Sequence, residues 1–146
     1  MKGKLFPACL PAGRLIGKRR YFVKFIKLWV PVAAWAGGIF FFSSIPDLKS
    51  GLEYDFLLRK IAHITEYFVF TFLLYRAFSG SFKMNSLRLF MYPAVLALLY
   101  AVSDEIHQYF VLGRSCSIQD VLIDGIGIIG FCILIRIKKG CPCSIK

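Results

Sequence analysis

LWVPVAAWAGGIFFFSSIP, from Leu28 to Pro46, carries no charged side chain. A helix needs about 20 mainly apolar residues to cross about 30 Å of hydrocarbon, and this run has that length. Working outward, three shorter apolar runs follow: Ile61 to Tyr75, Leu89 to Ser103 and Val121 to Ile135. Each alone would also suit the buried core helix of a soluble protein. Flanking aromatics and the stems of Lys and Arg extend each run toward spanning length. A hydrophobic content of 58% and a mean hydropathy of +0.64 lie outside the soluble range, so membrane is the expected solvent. The expected fold is all-α, an integral membrane bundle of four transmembrane helices.

The charges test that expectation. If four spans alternate, three parts face the cytoplasm: the N-terminal arm, the loop at 76–88 and the tail after Ile135. These hold every Lys and Arg except Lys49, Arg59, Lys60 and Arg114, and no acid. Such sorting is what the positive-inside rule gives for two cytoplasmic termini. The net charge of +11 then reads as topology and attraction to anionic lipid rather than as a nucleic-acid footprint. No nucleic-acid partner is expected, since the basic arm GRLIGKRRYFVKFIKLW leads straight into a span.

Organisation follows from the same pattern. Residues 1–27 form a basic cytoplasmic arm with an interfacial helix starting near Lys18, residues 28–137 the four-helix membrane domain, and residues 138–146 a basic cytoplasmic tail. The second span is expected near Phe56 to Phe78, the third near Leu87 to Phe110 with a kink site at Pro93, and the fourth near Ile118 to Ile137. Cys9, Cys116, Cys132, Cys141 and Cys143 are odd in number and give no disulfide framework. The terminal Cys-Pro-Cys has no second pair or histidine beside it, so zinc is not expected there. Cys9 resembles a lipoprotein cleavage site, but the basic start leaves no room for an apolar stretch before it. The chain is read as uncleaved, with its first span as anchor.

Within the apolar runs the ionisable residues fall into three clusters. In RKIAHITEYF, Lys60, His63 and Glu66 stand at i, i+3 and i+6, with Glu66 about 9 Å deeper than Lys60. In SDEIHQYF, Asp104, His107 and Gln108 share one face, and Glu105 with Gln108 a neighbouring one. In QDVLIDGIGIIG, Asp120, Asp124 and Gly127 form a stripe at i, i+4 and i+7, ending in a glycine where another backbone can approach. With alternating spans all three clusters occupy the outer layer, a polar site opening outward. Intramembrane ionisable residues are costly, and a functional site is the default reading. Solvated helix ends or a structural ion pair, such as Glu66 with Lys60 or Asp124 with Arg114, are the plain alternatives. His63 with Glu66 has the composition of a metal site or an acid/base pair, but no two-histidine motif is present, and metal and cofactor stay open. Arg114 is the candidate for gripping an anion, or for a salt bridge to Asp104 or Asp120.

At these residues the chain resembles the VanZ-like family of small bacterial membrane proteins. The likeness covers about residues 28–135, from FSSIP through KIAHITEYFVFTFLL to SDEIHQYFVLGRSCSIQDVLIDGIGIIG. Its ordered combination of K-x-x-H-x-x-E-Y, D-E-x-H-Q, G-R and D-x-x-x-x-G-x-x-x-G is more specific than any single piece. The matching positions are Lys60, His63, Glu66, Tyr67, Asp104, Glu105, His107, Gln108, Arg114, Asp120 and Gly127. The chain departs at Leu112, where a proline is common, and at Asp124, where many members have asparagine. The resemblance implies a helical integral protein of the bacterial cell membrane and, for the namesake, a contribution to glycopeptide resistance, chiefly to teicoplanin. It implies no known reaction.

Three functions compete. The first is an outward-facing site that binds, or modifies, a lipid head group or lipid-linked cell-wall precursor at the outer leaflet, with membrane lipids as partners. In an enzymatic version Glu66 or His63 is the base, His107 the acid and Arg114 the anion clamp, with Asp104 and Glu105 as further catalytic candidates. Lys60, Gln108, Asp120 and Asp124 complete the ligand-binding set, and the carboxylates are the candidates for a metal. The second is a proton-coupled transporter or channel subunit. The third is a non-catalytic assembly partner whose polar cluster merely locks the helices.

Overall fold

The computed structural model describes residues 12–46, 55–111 and 117–140. Four helices account for nearly all of them: α1 (Ala12–Ser43), α2 (Asp55–Ser81), α3 (Ser86–Tyr109) and α4 (Ile118–Gly140). Three of the four have the length and apolarity to cross a membrane: Arg20–Ser43 of α1, all of α3, and Ile118–Lys138 of α4. Only 11%, 17% and 22% of their apolar windows are buried within the bundle. A soluble helix turns its apolar stripe inward, so this exposure fits a membrane better than a soluble core. Here Phe41, Leu99, Ile129 and Ile133 point out, as side chains facing lipid do.

The helix that falls short of the spanning criterion is α2, which carries Arg59, Lys60, Glu66 and Arg76. It is nevertheless the centre of the bundle. It packs most extensively on α4, then on α1 and α3, while among the described residues α1 and α4 do not meet. The most polar helix is thus the one with the most extensive packing. The core along it consists of Tyr67, Phe70, Leu74 and Ala77 from α2, Val32 and Ile39 from α1, Ala97 and Ala101 from α3, and Ile128 from α4. Ala97 and Ala101, one turn apart, let α3 approach closely.

The closest approach is between α2 and α4. A Cβ on Gly127 would collide with the backbone carbonyl oxygen of Ile64 and crowd the Phe68 amide nitrogen at 3.1 Å. The sequence expectation of a backbone contact at Gly127 therefore holds, and this contact brings Asp124, one turn earlier on α4, against α2.

Local signals explain the boundaries. At the end of α1 the Ser44 hydroxyl donates to the Phe40 carbonyl at 2.7 Å, and Pro46 bars continuation. Asn85 caps α3 by accepting from the Arg88 amide at 2.9 Å. The Ser117 hydroxyl accepts from the Gln119 amide at 3.2 Å, and Asp120 complements the dipole in the first turn of α4. The α1 helix begins at Ala12, earlier than expected from Lys18, and runs unbroken into the first apolar run. Pro93 sits buried inside α3, and the helix continues through it, losing the bond to the Leu89 carbonyl.

Candidate functional site

The end of α1, the start of α2, the end of α3 and the start of α4 meet at one end of the bundle, and the polar residues of all four helices gather there. Three sets of hydrogen bonds stitch that end together.

The first joins α1 to α3. The Ser43 hydroxyl donates to Asp104 Oδ2 at 2.6 Å, and Gln108 Nε2 donates to both Ser43 Oγ and Asp104 Oδ2 at 3.0 Å. Asp104 and Gln108 are one helical turn apart, so the pairing expected from their shared face is present. The hydroxyl of Ser43 completes it, a residue that sequence reading passed over although it stands in FSSIP.

The second set joins α2 to α4. His63 Nδ1 and Asp124 Oδ1 lie 3.0 Å apart, the histidine half-buried and the aspartate buried. Periodicity placed His63 beside Glu66 on its own helix. The hydrogen-bonded carboxylate is instead Asp124, across the interface that Gly127 opens. An ionised Asp124 requires the proton on Nδ1, which leaves Nε2 as the ring atom able to exchange one. Glu66 is half-buried one turn deeper than His63, and its backbone carbonyl accepts from Trp35 Nε1 at 3.0 Å.

The third joins α3 to the start of α4, where Glu105 Oε2 accepts from the Ser117 amide at 3.0 Å. The adjacent residues Asp104 and Glu105 thus reach opposite ways, one to α1 and the other to α4.

His107 stands apart from these. Its Nε2 lies 3.0 Å from Ser44 Oγ, and its ring stacks on Phe40 at a centroid distance of 4.3 Å. Since half of Phe40 is exposed, this contact lies along the outer seam of α1 and α3. Lys60 and Asp120 are half-buried at the same end of the bundle, while Arg114 lies outside the described residues. No three His, Cys, Asp or Glu side chains stand together as a metal-holding group among the described residues.

Buried polar atoms in folded proteins nearly always have partners. Four here have none among the described residues: Tyr67 Oη, Asp104 Oδ1, Glu105 Oε1 and Asp124 Oδ2. Their side chains are 0%, 4%, 2% and 1% exposed, respectively. Tyr67 lies within electrostatic range of Asp104 and Asp124, and Glu105 within range of Asp124 and His63. Tyr67, Asp104 and Asp124 therefore share one layer, contributed by α2, α3 and α4, and Glu105 borders it beside Asp124 and His63. The signal for Tyr67 was available in sequence: a tyrosine inside an apolar run usually finds a partner for its hydroxyl.

No curated protein and no solved structure matches the chain. The VanZ/LLP1 family model matches residues 14–139, which takes in all four helices and every polar residue of this layer. With that match spanning most of its length, the chain belongs to the VanZ/LLP1 family.

Proposed function

We propose that this chain is a four-span protein of the bacterial cell membrane, with both termini cytoplasmic. Its polar end would face the outer leaflet and bind, or act on, a lipid head group or lipid-linked cell-wall precursor. A resulting change in the envelope would contribute to resistance against acyl-bearing glycopeptides of the teicoplanin type. The α2 helix joins the three apolar helices as the fourth span because it packs against all three of them.

The observation that carries this reading is the set of four buried polar atoms at this end that have no partner among the described residues. A cluster serving only to lock helices would satisfy its own atoms, since each unsatisfied buried group costs about 1–3 kcal/mol. A proton pathway through the membrane is disfavoured by the opposite half of the core, where Val32, Phe70, Leu74 and Ala77 offer no titratable relay. In a catalytic version His63 is the base, oriented by Asp124 as the carboxylate of a triad orients its histidine. Arg114 would grip a phosphate or carboxylate from the neighbouring loop.

The test is teicoplanin and vancomycin susceptibility in a sensitive Gram-positive host, with membrane levels measured alongside. Wild type should selectively lower teicoplanin susceptibility, and His63→Gln and Glu66→Gln at equal abundance should not. Full retention of the effect in both variants would sink the site assignment.

A further inference from the structure

The polar layer is lopsided in its chemistry. Of the four atoms at this end without a partner among the described residues, three are carboxylate oxygens, which only accept while ionised, and the fourth is a hydroxyl able to donate or accept. The remaining carboxylate oxygens are already supplied with donors: Ser43 and Gln108 for Asp104, His63 for Asp124, and the Ser117 amide for Glu105. What the layer lacks, among the described residues, is donors for these atoms. An anionic group placed there would meet carboxylates, and an apolar group would leave the costs of burial uncompensated.

We propose that this layer recognises a primary ammonium, held by Asp104 Oδ1, Asp124 Oδ2 and the Tyr67 hydroxyl. An alkylammonium carries three N–H donors on one compact charge, enough to serve acceptors drawn from several helices. A quaternary ammonium of equal charge has no N–H, and it is recognised by aromatic cages rather than by carboxylate oxygens. A bare divalent cation needs ligands converging at about 2.0–2.6 Å, and no such group forms among the described residues. The half-buried His63 and Asp120 border the layer and give the incoming group a polar approach.

This inference rests on the head-group reading above and narrows it to ligands that bear a primary amine. An aminoalkyl phospholipid head group and a free amine present the same ammonium, and the experiment separates them. The full chain, purified in dodecyl maltoside, is titrated by calorimetry with short-chain phosphatidylethanolamine, phosphatidylcholine, phosphatidylglycerol and free ethanolamine. Phosphatidylethanolamine should bind saturably and about tenfold or more tighter than phosphatidylcholine, the scale of one charge-assisted hydrogen bond. Asp124→Asn and Tyr67→Phe should each weaken that binding about tenfold while helicity and elution volume stay as in wild type. Tyr67→Phe removes a hydroxyl that has no hydrogen-bond partner among the described residues, so its folding is secure even if Asp124→Asn is compromised.

Equal binding of the ethanolamine and choline lipids would overturn the inference. So would unchanged affinity in the well-folded Tyr67→Phe variant. Selective binding of phosphatidylglycerol would overturn it while leaving a head-group site in place. Binding of free ethanolamine without phosphatidylethanolamine would uphold ammonium recognition and remove the lipid head group as its source. No binding by any probe would overturn both readings.

Discussion

The two ends of this bundle treat buried polarity in opposite ways. At the end where α2 passes to α3, aromatic rings fill the space. Trp29 stacks on Phe25 and meets Phe78 edge-on, Phe78 reaches Phe82 and Tyr92, and the one indole N–H there donates to Ser81 Oγ at 3.0 Å. At the other end, Asp104, Glu105, Asp124 and Tyr67 are buried as deeply as the hydrophobic core, yet each keeps a polar atom without a partner among the described residues. Burial is common to both ends, and satisfaction is not. Unsatisfied burial is the better marker of a site, because a membrane bundle gains nothing from it in stability.

The difference can be broken most forcefully at the crossing that supports the polar end. Gly127→Ala places a methyl group on the Ile64 carbonyl, so α2 and α4 must separate and His63 must lose Asp124. The expected loss is about 3 kcal/mol, the upper range for overpacking, seen as a lower thermal transition in detergent together with lost function. Next comes Asp104→Ala, which leaves Ser43 and Gln108 without their shared acceptor. A loss of about 1–3 kcal/mol should appear in the same thermal measurement.

Trp29→Phe sharpens the comparison from the other end. It removes one hydrogen bond and should cost about 1 kcal/mol by thermal unfolding, with antibiotic susceptibility unchanged at equal membrane abundance. The smallest effect is expected for Leu99→Ala, on the outward face of α3. Its thermal transition should move by less than the Trp29 variant, because a lipid-facing side chain leaves little cavity behind.

Much of the fold was legible in sequence because helix length and periodicity are local properties. The runs at Leu28, Ile61, Leu89 and Val121 each became a helix, and the spacing of Asp120, Asp124 and Gly127 pointed correctly to a close crossing. The face shared by Asp104 and Gln108 was legible for the same reason. Contacts between helices were not. His63 and Asp124 are 61 positions apart, as are Ser43 and Asp104, and a helical face does not say which neighbour it will meet. His63 was therefore placed with Glu66 on its own helix, and the two serines of FSSIP were read as the end of a span rather than as partners of Asp104 and His107. The central place of α2 was hidden too, since hydropathy ranks a helix by its own side chains and not by the neighbours it packs against.

The central claim is that the unsatisfied polar end does the work and the satisfied aromatic end only holds the helices. The most direct measurement is teicoplanin susceptibility in a sensitive host producing wild type, Glu105→Gln or Trp29→Phe at matched membrane levels. The account predicts that wild type and Trp29→Phe protect equally and that Glu105→Gln does not protect. Full protection by Glu105→Gln, or its loss in Trp29→Phe alone, would contradict it.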